Sequence, residues 1–134
     1  MTGSIFDKLI SGEIPCHKVY EDERNLAFLD NKPHAKGHTI VIPKKKGVTI
    51  FDYDWETLNR LIFAVKKTME ILQDKLNPDG FNVGWNHSTA AGQVVPHLHI
   101  HVMPRYNGDG GGSMHSIISN PGELSIEEVA QLLE

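Results

Sequence analysis

Between positions 54 and 76 the apolar residues Trp55, Leu58, Leu61, Ile62, Val65, Met69, Leu72 and Leu76 recur at three- and four-residue spacing. That spacing lines one face of a helix of about six turns, and Asn77-Pro78-Asp79-Gly80 then breaks it. The other apolar runs are short. Residues 17–20 and 25–30 flank the charged turn Glu21-Asp22-Glu23-Arg24 and read as a hairpin. His38-Thr39-Ile40-Val41-Ile42 is a β-branched run stopped by Pro43. Phe81, Val83 and Trp85 alternate with Asn82, Gly84 and Asn86, and residues 97–103 alternate up to Pro104. Ser4 with Asp7 can cap a short helix through Ile10, with Gly12 at its exit and Pro15 closing the segment. Ser125 with Glu128 can cap another ahead of Ile126, Val129, Leu132 and Leu133. Five strands joined largely by short turns favour antiparallel pairing, with the long helix covering a face. The expected fold is a single α+β domain over 1–134.

A chain of 134 residues suits one domain and buries enough surface to fold without staples. Thirteen basic against 17 acidic side chains give a net charge of −4, so the basic excess of a nucleic-acid binder is missing. Cys16 is the single cysteine, which excludes an internal disulfide and a multi-cysteine zinc cluster. No apolar run approaches the ~20 residues of a membrane span. Met1-Thr2-Gly3-Ser4 lacks the features of a signal peptide, and Thr2 before Gly3 is wrong for myristoylation. A small cytoplasmic protein is expected, with neither nucleic acid nor membrane as partner.

Eight histidines are present, and three fall within five residues. Strand alternation sends His97, His99 and His101 to one face, roughly 7 Å apart, while Leu98, Ile100 and Val102 enter the core. The plainest reading is a polar, solvated face that happens to use histidine. Two chemistries compete with it. Zinc can take neutral imidazoles with water as fourth ligand, although three same-face positions on one strand rarely converge on a tetrahedron. Alternatively an imidazole attacks phosphorus, its other N–H held by an acceptor and its neighbours donating to phosphoryl oxygens. Asn86, the small-residue turn Ala90-Ala91-Gly92 and Gln93 place amides and backbone N–H groups just before the triplet, which favours the second.

Pro96-His97-Leu98-His99-Ile100-His101-Val102-Met103, with Gly92-Gln93 ahead of it, resembles the signature of the histidine triad (HIT) nucleotide hydrolases and transferases. So do Ser4-Ile5-Phe6-Asp7-Lys8-Leu9-Ile10, Gly12-Glu13-Ile14-Pro15, Ala27-Phe28-Leu29-Asp30 and Gly37-His38-Thr39-Ile40-Val41-Ile42-Pro43-Lys44. The resemblance spans about residues 4–106, and the tail after Met103-Pro104-Arg105-Tyr106 looks like that of bacterial members. It implies a five-stranded antiparallel half-barrel with helices, paired into a homodimer. It implies that His99 is the nucleophile, oriented by the His97 carbonyl, with His101 donating to the phosphate and His38 behind. Asn86, Gly92, Gln93 and Val94 then border the phosphate, and Gln93 joins the catalytic set. Asp30 takes the ribose hydroxyls, and Ile5, Phe6, Phe28 and Leu29 form the base slot, with a core role as the other reading of the two phenylalanines.

Two departures from the family pattern stand out. Val94 sits where relatives often carry a hydroxyl residue. Some relatives hold a structural zinc through two cysteines and a histidine, where this chain has Ser4, Asp7 and Lys46, so neither metal nor cofactor is expected. Cys16 reads as a structural or surface thiol, and Lys44-Lys45-Lys46 as a solvated turn. His17, His34, His87 and His115 carry no spacing argument, though His87 is close enough in sequence to border the pocket. The expected function is hydrolysis of a nucleoside 5′-phosphoramidate to a purine nucleoside monophosphate through a nucleotidyl-His99 intermediate. The alternatives are a dinucleoside polyphosphate hydrolase, a nucleotide-binding regulatory protein with little turnover, and a chelator-sensitive zinc hydrolase. The helical stripe, widened by Phe63, and the strand over 81–85 ask for a second copy. The rival is a monomer whose terminal helix covers the stripe.

Overall fold

The computed structural model describes residues 4–134, so the readings from Met1, Thr2 and Gly3 lie outside it. Helix α1 (Ile5–Ser11) starts at a reciprocal cap: the Ser4 side chain accepts the Asp7 N–H, and the Asp7 carboxylate accepts the Ser4 N–H at 2.8 Å. Gly12 ends it in the left-handed conformation, φ 83°. Strands β1 (Lys18–Glu21) and β2 (Asn25–Leu29) form the expected hairpin, its turn held by Asp22 Oδ1 accepting the N–H groups of Arg24 and Asn25 at 2.8 Å each. After β3 (Thr39–Pro43) the long helix α2 (Trp55–Leu76) runs from an Asp54 cap to Asn77. Strands β4 (Gly80–Gly84) and β5 (Ile100–Arg105) follow, then α3 (Ile126–Leu132).

The sheet has the order β1-β2-β3-β5-β4 with every neighbouring pair antiparallel. One face packs on α2, where Ala27, Val41, Leu98, Ile100 and Val102 meet Leu61, Val65 and Leu72. The other face packs Leu26, Phe28, Ile40 and Ile42 against Phe6 and Leu9 of α1. Phe28, Ile40, His101 and Gly84 are successive cross-strand partners, so they share this second face. Helix α1 covers its β2–β3 side, and a groove lies over its β5–β4 side.

Three sequence expectations shift. The ladder of β5 begins at Ile100, so His97, Leu98 and His99 form its run-in, yet their alternation persists: Leu98 joins the α2 core while both histidines stack on Phe6. The strand passes through Pro104 to Arg105, because beyond Val102 it pairs with β4 alone and has a free side for a residue without an N–H. In α2, Trp55 and Ile62 stay 78% and 59% exposed, since at ~100° per residue they lie about 120° round from the buried line. Thr57 and Thr68 take that line instead, and Thr68 satisfies its hydroxyl by donating to the Ala64 carbonyl at 2.8 Å.

Helix α3 forms with its reciprocal cap but buries none of its residues, and the whole segment 107–134 is exposed. It therefore does not cover the α2 stripe. Among the described residues no helix is long and apolar enough to cross a membrane.

Candidate active site

The His99 ring lies edge-on to Phe6 and to His101, with centroids 5.1 Å away in each case. Its Nδ1 stands 2.6 Å from the His97 carbonyl oxygen. A carbonyl only accepts, so Nδ1 carries a proton, and in the neutral ring the lone pair is on Nε2. Two side-chain polar atoms among the described residues are sealed without a partner, Asn25 Oδ1 and His97 Nδ1. His99 Nε2 is neither of these and has no protein partner, so it meets solvent.

A chain of hydrogen bonds sets the protons on the neighbouring rings. The His34 backbone N–H donates to His38 Nδ1 at 3.2 Å, which places the His38 proton on Nε2. That nitrogen is 2.9 Å from His101 Nδ1 and donates to it, leaving His101 with its proton on Nε2. Burial, followed by the neighbouring His99 and His38, pushes the His101 pKa down to about 4, and burial also lowers His38. Both rings are neutral at physiological pH, as the chain of donors requires. Asp30 Oδ2 stands 3.7 Å from His38 Nε2, and its Oδ1 accepts the Lys32 N–H at 2.9 Å.

His97 has a different task. It is fully buried, its Nε2 donates to the Pro43 carbonyl at 2.8 Å, and its Nδ1 lies 4.0 Å from Asp7 Oδ1. The ring ties the run-in of β5 to the end of β3, and its own carbonyl aims His99. The three triad rings thus engage three separate partners rather than one point, and they form no common ligand set. The histidine face is not the solvated surface of the plainest reading, because Phe6 caps it.

Residues 11–108 match the family model of the HIT domain. The chain belongs to the HIT family. An uncharacterized HIT-like protein of Methanocaldococcus jannaschii is 51% identical over 106 residues, covering 79% of this chain and 81% of the relative. An adenosine 5′-monophosphoramidase of Schizosaccharomyces pombe is 36% identical over 107 residues, 80% of this chain and 77% of the relative. The crystal structure of a HIT family member from Bacillus subtilis superposes with a TM-score of 0.85 at 36% identity, covering 98% of this chain and 93% of that one.

In this HIT protein Phe6 and Phe28 are each 5% exposed and belong to the α1 core, with Phe6 edge-on to Phe28 as well as to the two histidines. Ile5 and Leu29 remain exposed. Gln93 is buried and fully engaged: Oε1 accepts the Ser88 N–H at 2.8 Å, and Nε2 donates to the carbonyls of Val48 and Val95 at 2.7 and 3.2 Å. Its amide braces the loop ahead of the triad and has no donor left for a phosphate. Asn86 lies against Gly92, whose φ of 101° suits glycine, and Val94 points into solvent. Cys16 packs beside the α1 core, and burial pushes its thiol pKa up.

The positions that hold zinc in some relatives do not suit it here. Asp7 is committed to the α1 cap and to Lys46, whose Nζ is 3.3 Å from Asp7 Oδ2. An ammonium among the donors repels a metal cation, and the Ser4 hydroxyl is spent on the cap. Asp30, His38 and His101 do bring ligand atoms within 4.8 Å of one another, but the 2.9 Å hydrogen bond occupies the two nitrogens a metal would need. The triple lysine faces carboxylates too, with Lys44 2.8 Å from Glu21 and Lys45 4.0 Å from Asp54.

Sequence reasoning missed a groove of about 580 Å³ that His101, His38 and Asp30 share with Met103, Arg105 and Met114. Arg105 continues the face of His101 and Met103 past Pro104, which reads as the strand's end, and Met114 lacks any periodic signal, since it follows a glycine-rich turn.

Proposed function

We propose that this protein hydrolyses nucleoside 5′-phosphoramidates to a purine nucleoside monophosphate and an amine. The observation that carries this reading is the 2.6 Å bond from His99 Nδ1 to the His97 carbonyl, which makes Nε2 the lone-pair nitrogen of the neutral ring and leaves it without a protein partner. The Nε2 lone pair attacks phosphorus, forming a P–N bond to His99 as the bond to the departing nitrogen breaks. That nitrogen leaves as an amine with a proton taken from solvent. His101 Nε2–H donates to a phosphoryl oxygen through the step. Water then attacks phosphorus, the bond to His99 breaks and returns its electron pair to Nε2, and the proton lost by water goes to solvent. Asp30 accepts the ribose hydroxyls, Ile5 and Leu29 flank the base with Phe6 and Phe28 behind them, and Asn86 and Gly92 border the phosphate. The fission-yeast relative, a monophosphoramidase by name, supports the substrate class. The carboxylate partners of Lys44, Lys45 and Lys46 argue against a polyphosphate substrate.

The functional unit in this reading is a homodimer joined through β4. That strand is an edge of the sheet, and Trp55, Ile62 and Phe63 leave apolar surface on α2. Adenosine 5′-phosphoramidate supplied in excess should be consumed over many turnovers without added metal. Consumption that stops at one equivalent per site would mark a nucleotide-binding protein instead.

A further inference from the structure

The peptide unit between His97 and Leu98 makes two hydrogen bonds that together aim the nucleophile. Its carbonyl accepts from His99 Nδ1 at 2.6 Å, and its N–H donates to the Gly47 carbonyl at 3.0 Å. A peptide is planar and rigid, so holding the N–H sets the direction of the carbonyl on its other side. The β5 ladder begins only at Ile100, so this unit lies outside the sheet's own hydrogen bonding. The turn after β3 holds it instead: the carbonyls of Pro43, Gly47 and Val48 accept His97 Nε2–H, the Leu98 N–H and Gln93 Nε2–H.

Tyr53 fastens that turn. Its ring is buried on the α2 side of the sheet, in the cluster that holds Leu61 and Leu98. Its hydroxyl donates to the carbonyls of Lys45 at 2.8 Å and Gly47 at 3.1 Å. One proton thus draws two carbonyls of the turn together, and the Gly47 oxygen gathers Tyr53 and Leu98 on its two lone pairs. The approach is so close that a Cβ on Gly47 would stand 2.6 Å from the Tyr53 ring, a clash that glycine avoids. Burial pushes the phenol pKa up, so the proton stays on the oxygen at physiological pH. His99 lies on the opposite, α1 side of the sheet, edge-on to Phe6. Tyr53 therefore acts on it only through the backbone.

We propose that Tyr53 is a positioning residue for the nucleophile: its hydroxyl fixes the Gly47 carbonyl, that carbonyl fixes the His97–Leu98 peptide, and the peptide holds His99 with its proton on Nδ1. The neutral ring then presents Nε2 to phosphorus, and for that reaction alone the proposal rests on the phosphoramidase reading. Without the hydroxyl, the Gly47 carbonyl keeps one donor and the turn loses the proton that closes it. The peptide then swings, and the His97 carbonyl no longer selects one tautomer of His99. Displacing an attacking group by about 1 Å can cost on the order of 10²-fold in rate, so losing one of several restraints should cost about tenfold.

Tyr53→Phe removes the hydroxyl and keeps the ring in its core. Tyr20→Phe is the control, because Tyr20 packs against the same core and its hydroxyl donates to Asp22, in the β1–β2 turn, at 2.9 Å. Nitrogen NMR signals of the His99 ring, assigned by their absence in His99→Asn, report which nitrogen carries the proton in the neutral ring. Wild type and Tyr20→Phe should show Nδ1–H alone, and Tyr53→Phe both tautomers. Turnover of adenosine 5′-phosphoramidate by Tyr53→Phe should fall about tenfold in kcat with KM unchanged. Gly47→Ala, which keeps the hydroxyl but forces the turn away from the ring, should give the same mixture of tautomers. A purely structural Tyr53 would lower Tm on substitution and leave the tautomer alone. A single Nδ1–H tautomer in Tyr53→Phe, or in Gly47→Ala should the first variant not fold, overturns the proposal. So does a wild-type kcat in a variant with mixed tautomers. Wild-type protein that turns over no phosphoramidate overturns the phosphoramidase reading, while the tautomers still decide the role of Tyr53.

Discussion

His38, His97 and His101 are all held below the ordinary histidine value, in each case chiefly by burial, with His101 at about 4. The unfolded chain protonates these rings near pH 6.5, and the folded chain resists. Between about pH 6.5 and pH 4 the unfolded state therefore binds more protons, so stability falls as pH drops through that window and is unaffected by these rings above it. Thermal unfolding should show Tm decreasing from about pH 7 to pH 5, with a shallower slope in His101→Gln. A Tm that rises on acidification would contradict the burial of neutral rings. The triplet was legible in the sequence through strand alternation, and His38 and Asp30 only through the family resemblance. The proton positions were not legible, since they depend on the His34 backbone N–H, a group every sequence has. Gln93 illustrates the same limit: the residue type suggests a phosphate donor, whereas its neighbours consume both amide hydrogens.

At the scale of elements, α1 is fastened to the histidine run by Phe6 and to the turn after β3 by the Asp7–Lys46 pair. Ser4, Ser125 and their partners made both short helices readable, because a reciprocal cap is a local signal. The start of β5 was unreadable: His97 and His99 keep the period of a strand while α1, not a neighbouring strand, supplies their packing. Likewise the buried face of α2 includes Thr57 and Thr68, which an apolar count passes over. With Lys46 supplying the positive charge beside Asp7, the purified protein should contain no stoichiometric zinc, and chelators should leave its activity and Tm unchanged. One tightly bound zinc per chain by elemental analysis would contradict that arrangement.

Among the described residues, exposed apolar side chains include Trp55, Ile62 and Phe63 on α2, Trp85 beyond the edge strand β4, and those along α3. The stripe and the alternating strand were readable as an excess, but not how α3 would be disposed, because a capping box says nothing about what a helix packs on. Two copies joined edge to edge through β4 would bury those on α2 and Trp85. Light scattering at micromolar concentration should give about twice the 15.0 kDa of one chain. A mass near that of one chain would exclude the dimer.

The account turns on His99 Nε2 forming a bond to phosphorus. Its most direct test is intact-mass measurement of protein quenched with alkaline denaturant, which preserves a phosphorus–imidazole bond, during turnover of adenosine 5′-phosphoramidate, on the wild type and on His99→Asn. Asparagine is the informative replacement, since glycine would also empty the space beneath Phe6 and cost about 2 kcal/mol or more of stability. The wild type should carry one adenylyl group on the peptide containing His99, and the variant none. The variant's turnover should fall on the order of 10⁴-fold or more while its fold is kept. An adenylyl group on another residue, or near-normal turnover by folded His99→Asn, would contradict the assignment of His99 as the nucleophile.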